Sequence, residues 1–138
     1  MPSVEAKCIE TAAQAAAMIR AALPKEQKEE RVFVLPLDGN GNALAKPILV
    51  SIGHEDGTAA IDAGAIFREA LKAGAEEIIV VHNHPSGDLT PSKADIGVTE
   101  RLRKGSELVG LRFIDHIILC PLKHEDTLGF LSLSEQIG

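Results

Sequence analysis

Two histidines separated by a single residue, His82 and His84, directly follow the short apolar run Ile78–Val81. Alternate residues of a strand point to the same face, so the two imidazoles are expected side by side, with Cα atoms about 6.5 Å apart. That separation lets one nitrogen of each ring bind a common ion at roughly 2.0–2.1 Å. The pair is therefore a candidate metal site at the end of a strand, where open α/β sheets usually bind ligands.

A carboxylate is available as a third ligand. Pro85 and Gly87 turn the chain after the histidines, and Asp95, one turn into the next predicted helix, can reach back toward them. Two histidines and one carboxylate with an open fourth position are typical of a catalytic zinc site. Ser92 and Asp95 also have the spacing of a helix capping box, which requires no metal. The residues alone leave both interpretations of Asp95 open.

The spacing H-x-H-x7-S-x2-D, filled here by His82, His84, Ser92 and Asp95, is similar to the metal motif of the JAMM metalloproteases, a class built on the MPN domain. The longer string His-Asn-His-Pro-Ser-Gly-Asp resembles the RadC-like branch of that class. Three further segments also resemble this branch: Leu35–Asp38, Asp115–Ile118 and Phe130–Leu133. The resemblance as a whole covers roughly residues 10 to 136.

The resemblance implies a role for each matched position. His82, His84 and Asp95 would bind Zn²⁺, Ser92 would stabilise the oxyanion, and Glu30 would be the general base. The implied enzyme is a zinc metallopeptidase or isopeptidase acting on peptides or protein conjugates. In it, zinc lowers the pKa of its bound water toward about 7, and the resulting hydroxide attacks an amide carbonyl group.

The choice of Glu30 over its neighbour Glu29 predicts which face of the first strand lies toward the site. Position 30 shares a strand face with Val32 and Val34, and a slip of one residue would move the carboxylate to the opposite face. Glu30 is preferred, and Glu29 is the competing assignment.

The chain departs from the family at two places, of which the first argues against a role in DNA repair and the second affects contacts with the substrate rather than the metal site. The N-terminal helix-hairpin-helix module common in RadC-like proteins is not found in residues 1–138, and Ile61–Ala65 replaces the usual Pro-Arg-Glu opening of the middle helix. The alternatives are a non-catalytic binding module and a DNA-repair-associated factor. His116 beside Asp115 is interpreted as a hydrogen-bonded structural pair rather than as a ligand.

The elements that must position these residues alternate along the chain. Apolar periodicity and turn residues predict a single α/β domain with about five strands and three helices, in which one mixed β-sheet is flanked by helices. The resemblance implies the cytidine-deaminase-like sandwich of JAB/MPN domains. The predicted helices are 11–23, with Thr11 and Gln14 as a capping box, 61–73 and 92–109; the predicted strands are 30–38, 43–52, 78–81, 111–119 and 128–133.

Composition narrows the classes of partner. The 138 residues are 45% apolar with a net charge of −6, a balance that argues against nonspecific binding to nucleic acid, although a basic patch at Arg101, Arg103, Lys104 and Arg112 keeps that possibility open. The apolar runs are too short to span a membrane. Two widely separated cysteines, Cys8 and Cys120, indicate no disulfide framework and favour a cytoplasmic location. The oligomeric state and the substrate have no readable signal.

Overall fold

The computed structural model describes residues 8–24, 26–53, 61–121 and 129–134. Within these ranges the chain forms three helices and one five-stranded mixed sheet, which confirms the predicted fold class. The elements, in chain order, are α1 (Ala12–Ala22), β1 (Glu30–Leu37), β2 (Ile48–Gly53), α2 (Ala63–Lys72), β3 (Glu77–Asn83), α3 (Lys93–Val109), β4 (Arg112–Leu119) and β5 (Phe130–Ser132).

The sheet has the strand order β2-β1-β3-β4-β5, with β3 at its centre. Every residue of β3 is buried, as expected for an apolar run that is covered on both faces. Strand β3 is antiparallel to β1 and parallel to β4, and the parallel connection runs through α3. The carboxyl end of β3, the amino end of β1 and the start of α3 therefore meet at the same edge of the sheet.

The two faces of the sheet are covered by different helices. Helix α1 covers one face, where it packs on alternate β1 residues such as Phe33 and Leu35. Helices α2 and α3 cover the other face, which includes Val32 and Val34. This alternation places Glu30 on the α2/α3 face, as the choice of Glu30 over Glu29 requires.

Helices α1 and α3 both begin with a capping box. In α1 the Thr11 side chain accepts from the backbone N–H of Gln14, and in α3 the Ser92 side chain accepts from that of Asp95. In both boxes the side chain of the later residue bonds back to the backbone N–H of the cap. The sequence predicted both boxes, because a hydroxyl residue followed three positions later by an acceptor satisfies two N–H groups that a helix leaves unpaired.

Some predicted boundaries and faces were wrong. Strand β2 begins at Ile48 rather than at Ala43, because Pro47 lacks the N–H group that a ladder needs; Ala43 forms only an isolated bridge to Leu37. Helical spacing within 61–73 predicts that Ile66, Ala70 and Leu71 share a buried face. Leu71 is nevertheless 49% exposed, since its position is more than a quarter turn from the other two.

The exposed large apolar residues of α3 are Ile96, Leu108 and Val109, and they lie outside the buried face of the helix. Polar side chains, those of Asp95, Thr99 and Ser106, thus occupy three of the five buried positions of this helix. Across the described residues, none of the helices combines the length and apolar character that crossing a membrane would require.

Candidate metal centre

The paired histidines lie where β3 leaves the sheet. The backbone N–H of His84 still donates to the carbonyl oxygen of Leu119 on β4, at 2.7 Å, so the chain remains extended up to the turn at Pro85. The two rings consequently share a face, and their Nε2 atoms are 3.0 Å apart. The side chain of His82 is 2% exposed and that of His84 is 14% exposed, and both rings line the same cavity.

Asp95 reaches both rings from the first turn of α3. Its Oδ1 atom lies 3.3 Å from Nε2 of His82, and its Oδ2 atom lies 3.4 Å from Nε2 of His84. Oδ2 also accepts from the backbone N–H of Ser92 at 2.8 Å. The two interpretations of Asp95 are therefore compatible, since the same carboxylate closes the capping box and contacts both imidazoles.

Glu30 contributes a second carboxylate at the start of β1. Its Oε1 atom lies 3.8 Å from Nε2 of His84, and Glu30, His82 and His84 form a group whose ligand atoms all lie within 4.8 Å of one another. Glu29 instead forms an ion pair with Arg31 at 3.6 Å. Among the two candidates, the structure brings Glu30 to the histidines.

Asn83, between the two histidines, fixes the backbone on both sides of Glu30. Its side-chain oxygen accepts from the backbone N–H of Arg31 at 2.6 Å, and its amide nitrogen donates to the backbone carbonyl of Glu29 at 3.1 Å. This buried side chain points away from the face that carries the imidazoles, because successive strand residues alternate. The His-Asn-His sequence thus supplies two possible ligands and a support for the nearby carboxylate.

These residues open onto a cavity of about 300 Å³. One part of its wall is polar and includes the candidate ligands, Glu30 and Ser92. Apolar side chains form the remainder of the wall, among them Val32, Ile61 and Val98. A polar group bound at the histidines would have an apolar surface beside it. The sequence predicts that substrate specificity lies in loops such as residues 53–60 and 120–127, and most of these residues are outside the part of the chain that the structure describes.

The charges of the centre favour a bound cation. Burial raises the pKa of the Asp95 carboxyl group, but its contacts with His82 and His84 and the bond from the Ser92 N–H lower it further, so the net pKa lies well below its usual range. Contact with Asp95 in turn raises the pKa of His84 above its ordinary value. An ionised carboxylate therefore faces both rings, and in the absence of a metal ion it stabilises a proton on His84.

The donor atoms fit a zinc ion. The Nδ1 atom of His84 lies 2.8 Å from the carbonyl oxygen of Asp88, which can only accept, so neutral His84 is protonated at Nδ1 and its Nε2 is a bare acceptor. The distances of 3.0, 3.3 and 3.4 Å among the two Nε2 atoms and the Asp95 oxygens approach the edge of a tetrahedron of zinc ligands. That edge is roughly 3.3 Å for bonds of about 2.05 Å.

Two residues that are linked to His82 by hydrogen bonds, one directly and one through the other, were not predicted as part of the site. His116, on β4, lies with its Nε2 atom 2.8 Å from Nδ1 of His82, and Thr99, on α3, lies 2.7 Å from Nδ1 of His116. The expected bond between His116 and Asp115 exists only through the His116 backbone N–H, which donates to the Asp115 carboxylate at 2.7 Å. Burial lowers the pKa of His116 to about 3, so this ring is neutral.

The amino-acid sequence contains only a weak indication that Thr99 and His116 belong to the site. Thr99 follows Asp95 by one helical turn and therefore lies on the same helix face, and His116 is a polar residue inside an apolar strand. Neither observation identifies the ring that they contact, because the pairing of β3 with β4 is a long-range feature.

Comparison with known proteins finds relatives that match more than two-thirds of this chain. A UPF0758 protein of Carboxydothermus hydrogenoformans is 50% identical over 98 residues, which cover 71% of this chain and 42% of that protein. A UPF0758 protein of Methanosarcina mazei is 42% identical over 95 residues, covering 69% of this chain and 41% of that protein. The chain thus spans about two-fifths of the length of these relatives.

The family comparison reaches further along the chain than these pairwise matches. The family model described as RadC-like JAB domain matches residues 9–136, a range that includes every candidate residue from Glu30 to Asp95 and all eight elements of the fold. With its paired histidines, capping aspartate and mixed sheet, the chain belongs to the RadC-like JAB domain family.

Proposed function

We propose that the chain is a zinc-dependent amide hydrolase of the peptidase or isopeptidase type, which acts on peptides or protein conjugates. The observation that carries this proposal is the convergence of three potential ligands and a second carboxylate at one cavity. Nε2 of His82, Nε2 of His84 and the Asp95 carboxylate lie within 3.4 Å of one another, and Glu30 lies 3.8 Å from His84. The relation of the RadC-like JAB family to the JAMM metalloproteases supports the reaction class.

Zinc bound by His82, His84 and Asp95 would supply a Lewis acid that lowers the pKa of water and polarises a carbonyl group. Glu30 has the position of a general base, since its carboxylate stands beside the rings and at the cavity wall. It would accept a proton from the attacking water and return it to the leaving amine, so that the peptide bond breaks without expelling an anionic nitrogen.

Ser92 would donate a hydrogen bond to the developing oxyanion. Its Oγ atom accepts from the Asp95 backbone N–H at 2.9 Å, which fixes the side chain at the cavity wall while leaving the hydroxyl proton to be donated. A donor held in place before the reaction stabilises developing charge without reorganisation. The capping bond would thus orient a catalytic hydroxyl group.

The test compares Glu30→Gln with the matched control Glu29→Gln. Each purified variant is analysed for zinc content and for cleavage of a mixture of internally quenched peptides. We expect all three proteins to bind one equivalent of zinc, and only Glu30→Gln to lose turnover, by about 10²- to 10⁴-fold. If Glu30→Gln loses its zinc, Glu30 is a ligand rather than the base.

Two other results would change the proposal itself. A wild-type protein that contains no zinc after purification and reconstitution would contradict the metal assignment. Stoichiometric zinc with no cleavage by the wild-type protein would favour a binding module. The cytoplasmic location stays a prediction, supported by the free thiols of Cys8 and Cys120.

A further inference from the structure

A chain of hydrogen-bonding groups runs from His82 through the core and ends near the third candidate ligand. Nδ1 of His82 lies 2.8 Å from Nε2 of His116, and Nδ1 of His116 lies 2.7 Å from Oγ1 of Thr99. Oγ1 of Thr99 lies 2.9 Å from the backbone carbonyl oxygen of Asp95. His116 and Thr99 are each 0% exposed, so water does not compete for these bonds.

The series of groups from His82 through His116 and Thr99 to the Asp95 carbonyl oxygen is called the relay here. That carbonyl oxygen determines the direction of every hydrogen bond in it. A carbonyl oxygen can only accept, so the Thr99 hydroxyl group uses its single proton on Asp95. Thr99 Oγ1 must then accept from His116, which places the His116 proton on Nδ1 and leaves Nε2 as an acceptor. His82 consequently donates from Nδ1, and its Nε2 atom, which faces His84 and Asp95, has an unshared electron pair.

We propose that His116 and Thr99 are positioning residues that fix the proton of His82 on Nδ1 and so leave Nε2 available to a metal ion. The inference rests on the proposed zinc site and assigns to it two residues beyond the ligand motif. A carboxylate, carbonyl or other acceptor behind a ligating histidine sets its tautomer and orientation in metal sites generally. Here a second histidine and a threonine transmit that effect from the backbone of Asp95.

The two candidate histidines reach the same tautomer by different routes. His84 lies at the cavity and donates directly to the backbone carbonyl of Asp88 at 2.8 Å. His82 lies between β4 and α3, where its Nδ1 atom faces a side chain that can donate or accept. Without Thr99 to orient it, His116 could present a proton to His82, and Nε2 of His82 would then be protonated and unable to bind a metal ion.

The test uses Thr99→Val, which removes the hydroxyl group with little change of volume, and Thr99→Ser, which retains it. Two-bond ¹H–¹⁵N NMR of the metal-free protein at about pH 8 reports which ring nitrogen of a neutral histidine carries the proton. In the wild-type protein and in Thr99→Ser we expect the His82 proton on Nδ1. In Thr99→Val we expect it to move toward Nε2, although Thr99 does not contact His82. The His116→Phe variant assigns the resonances.

Zinc affinity, measured by competition with a coloured chelator, is the second readout. Loss of such an outer bond typically weakens metal binding by about 10- to 100-fold, so we expect that loss in Thr99→Val and near wild-type affinity in Thr99→Ser. A wild-type His82 protonated at Nε2 would overturn the inference without any variant. Unchanged tautomer and affinity in Thr99→Val would also overturn it. Failure of the wild-type protein to bind zinc would contradict the proposed function, whereas the NMR result on the metal-free protein would still decide the relay.

Discussion

The two capping boxes of this chain have the same hydrogen bonds and different surroundings. At the start of α1, Thr11 and Gln14 satisfy the first N–H groups of the helix, and both residues are exposed. At the start of α3, Ser92 and Asp95 make the equivalent bonds at 2.9 and 2.8 Å, and Asp95 also lies within 3.4 Å of two imidazoles. The first box begins a helix, and the second begins a helix and also contacts both histidines of the candidate metal centre.

The difference shows how little is needed to convert a helix start into a candidate metal centre. A Gln side chain is neutral, whereas the Asp side chain is ionised and can also bind a cation. The position of the helix matters as much, because the parallel β3-α3-β4 connection brings the N-terminus of α3 to the carboxyl end of β3. The positive end of the helix dipole also lies there, and it helps to keep Asp95 ionised.

The largest effect is expected from Asp95→Asn, which separates the two roles of this carboxylate. The amide oxygen of Asn can still accept from the Ser92 N–H, so the helix start should be retained. The negative ligand is lost, and we expect zinc affinity to fall by more than the roughly 100-fold that an outer hydrogen bond contributes. Chelator competition measures the affinity and urea unfolding measures the stability.

The matched control for that variant is Gln14→Ala in α1. It should cost about 0.5–1 kcal/mol of unfolding free energy and leave zinc binding unchanged, since α1 lies on the opposite face of the sheet. Equal zinc affinity in Asp95→Asn and the wild-type protein would show that Asp95 is a cap only.

A smaller effect is expected when the hydroxyl residue of each box is replaced. Ser92→Ala and Thr11→Ala each remove one capping bond, and each should cost about 1 kcal/mol of unfolding free energy. If Ser92 donates to the oxyanion, only Ser92→Ala should also lower kcat, by about 10²- to 10³-fold with zinc content intact. Peptide cleavage with zinc saturation measures this difference. An equal kcat in the two variants would remove the catalytic role from Ser92.

Local sequence was sufficient for the parts of the site that lie close together in the chain. The apolar run before His82 predicted a buried strand, and strand alternation predicted that His82 and His84 share a face. The Ser92–Asp95 spacing predicted the helix start. The fold class followed from the alternation of helices and strands, although β2 and the buried face of α2 were partly mispredicted, since propensity does not report which positions a neighbouring element covers.

The contacts that the pattern did not predict are those between distant strands. No residue close to His116 in the sequence indicates that the pairing of β4 with β3 places its ring against His82. The contact of Thr99 with His116 likewise depends on the packing of α3 against β4. The prediction for Glu30 depended on which face of β1 lies toward the histidines. Strand alternation made that choice testable, but the antiparallel pairing of β1 with β3 determines it. Long-range register, rather than residue type, limited the prediction.

The smallest expected effect concerns pH and again distinguishes the boxes. The raised pKa of His84 means that its protonation stabilises the metal-free protein fully below the unfolded value of 6.5, and that this contribution is lost as pH rises through the folded pKa. Asp95 has a lowered pKa, so its contribution is present above 3.8 and is constant across neutral pH. The Thr11–Gln14 box has no ionisable member and contributes equally throughout.

Bound zinc should abolish this dependence, because a metal ion and a proton compete for Nε2 of His84. Below the folded pKa of His84 we expect zinc affinity to rise about tenfold per pH unit, which is one proton released per ion. As pH rises from 6.5 through the folded pKa of His84, the metal-free protein should therefore lose stability in urea, whereas the zinc-loaded protein, whose His84 carries no proton, should not. If the unfolding free energies of the metal-free and zinc-loaded proteins changed with pH in the same way, the ion would not bind at His84, since a site elsewhere would leave the titration of this ring unchanged.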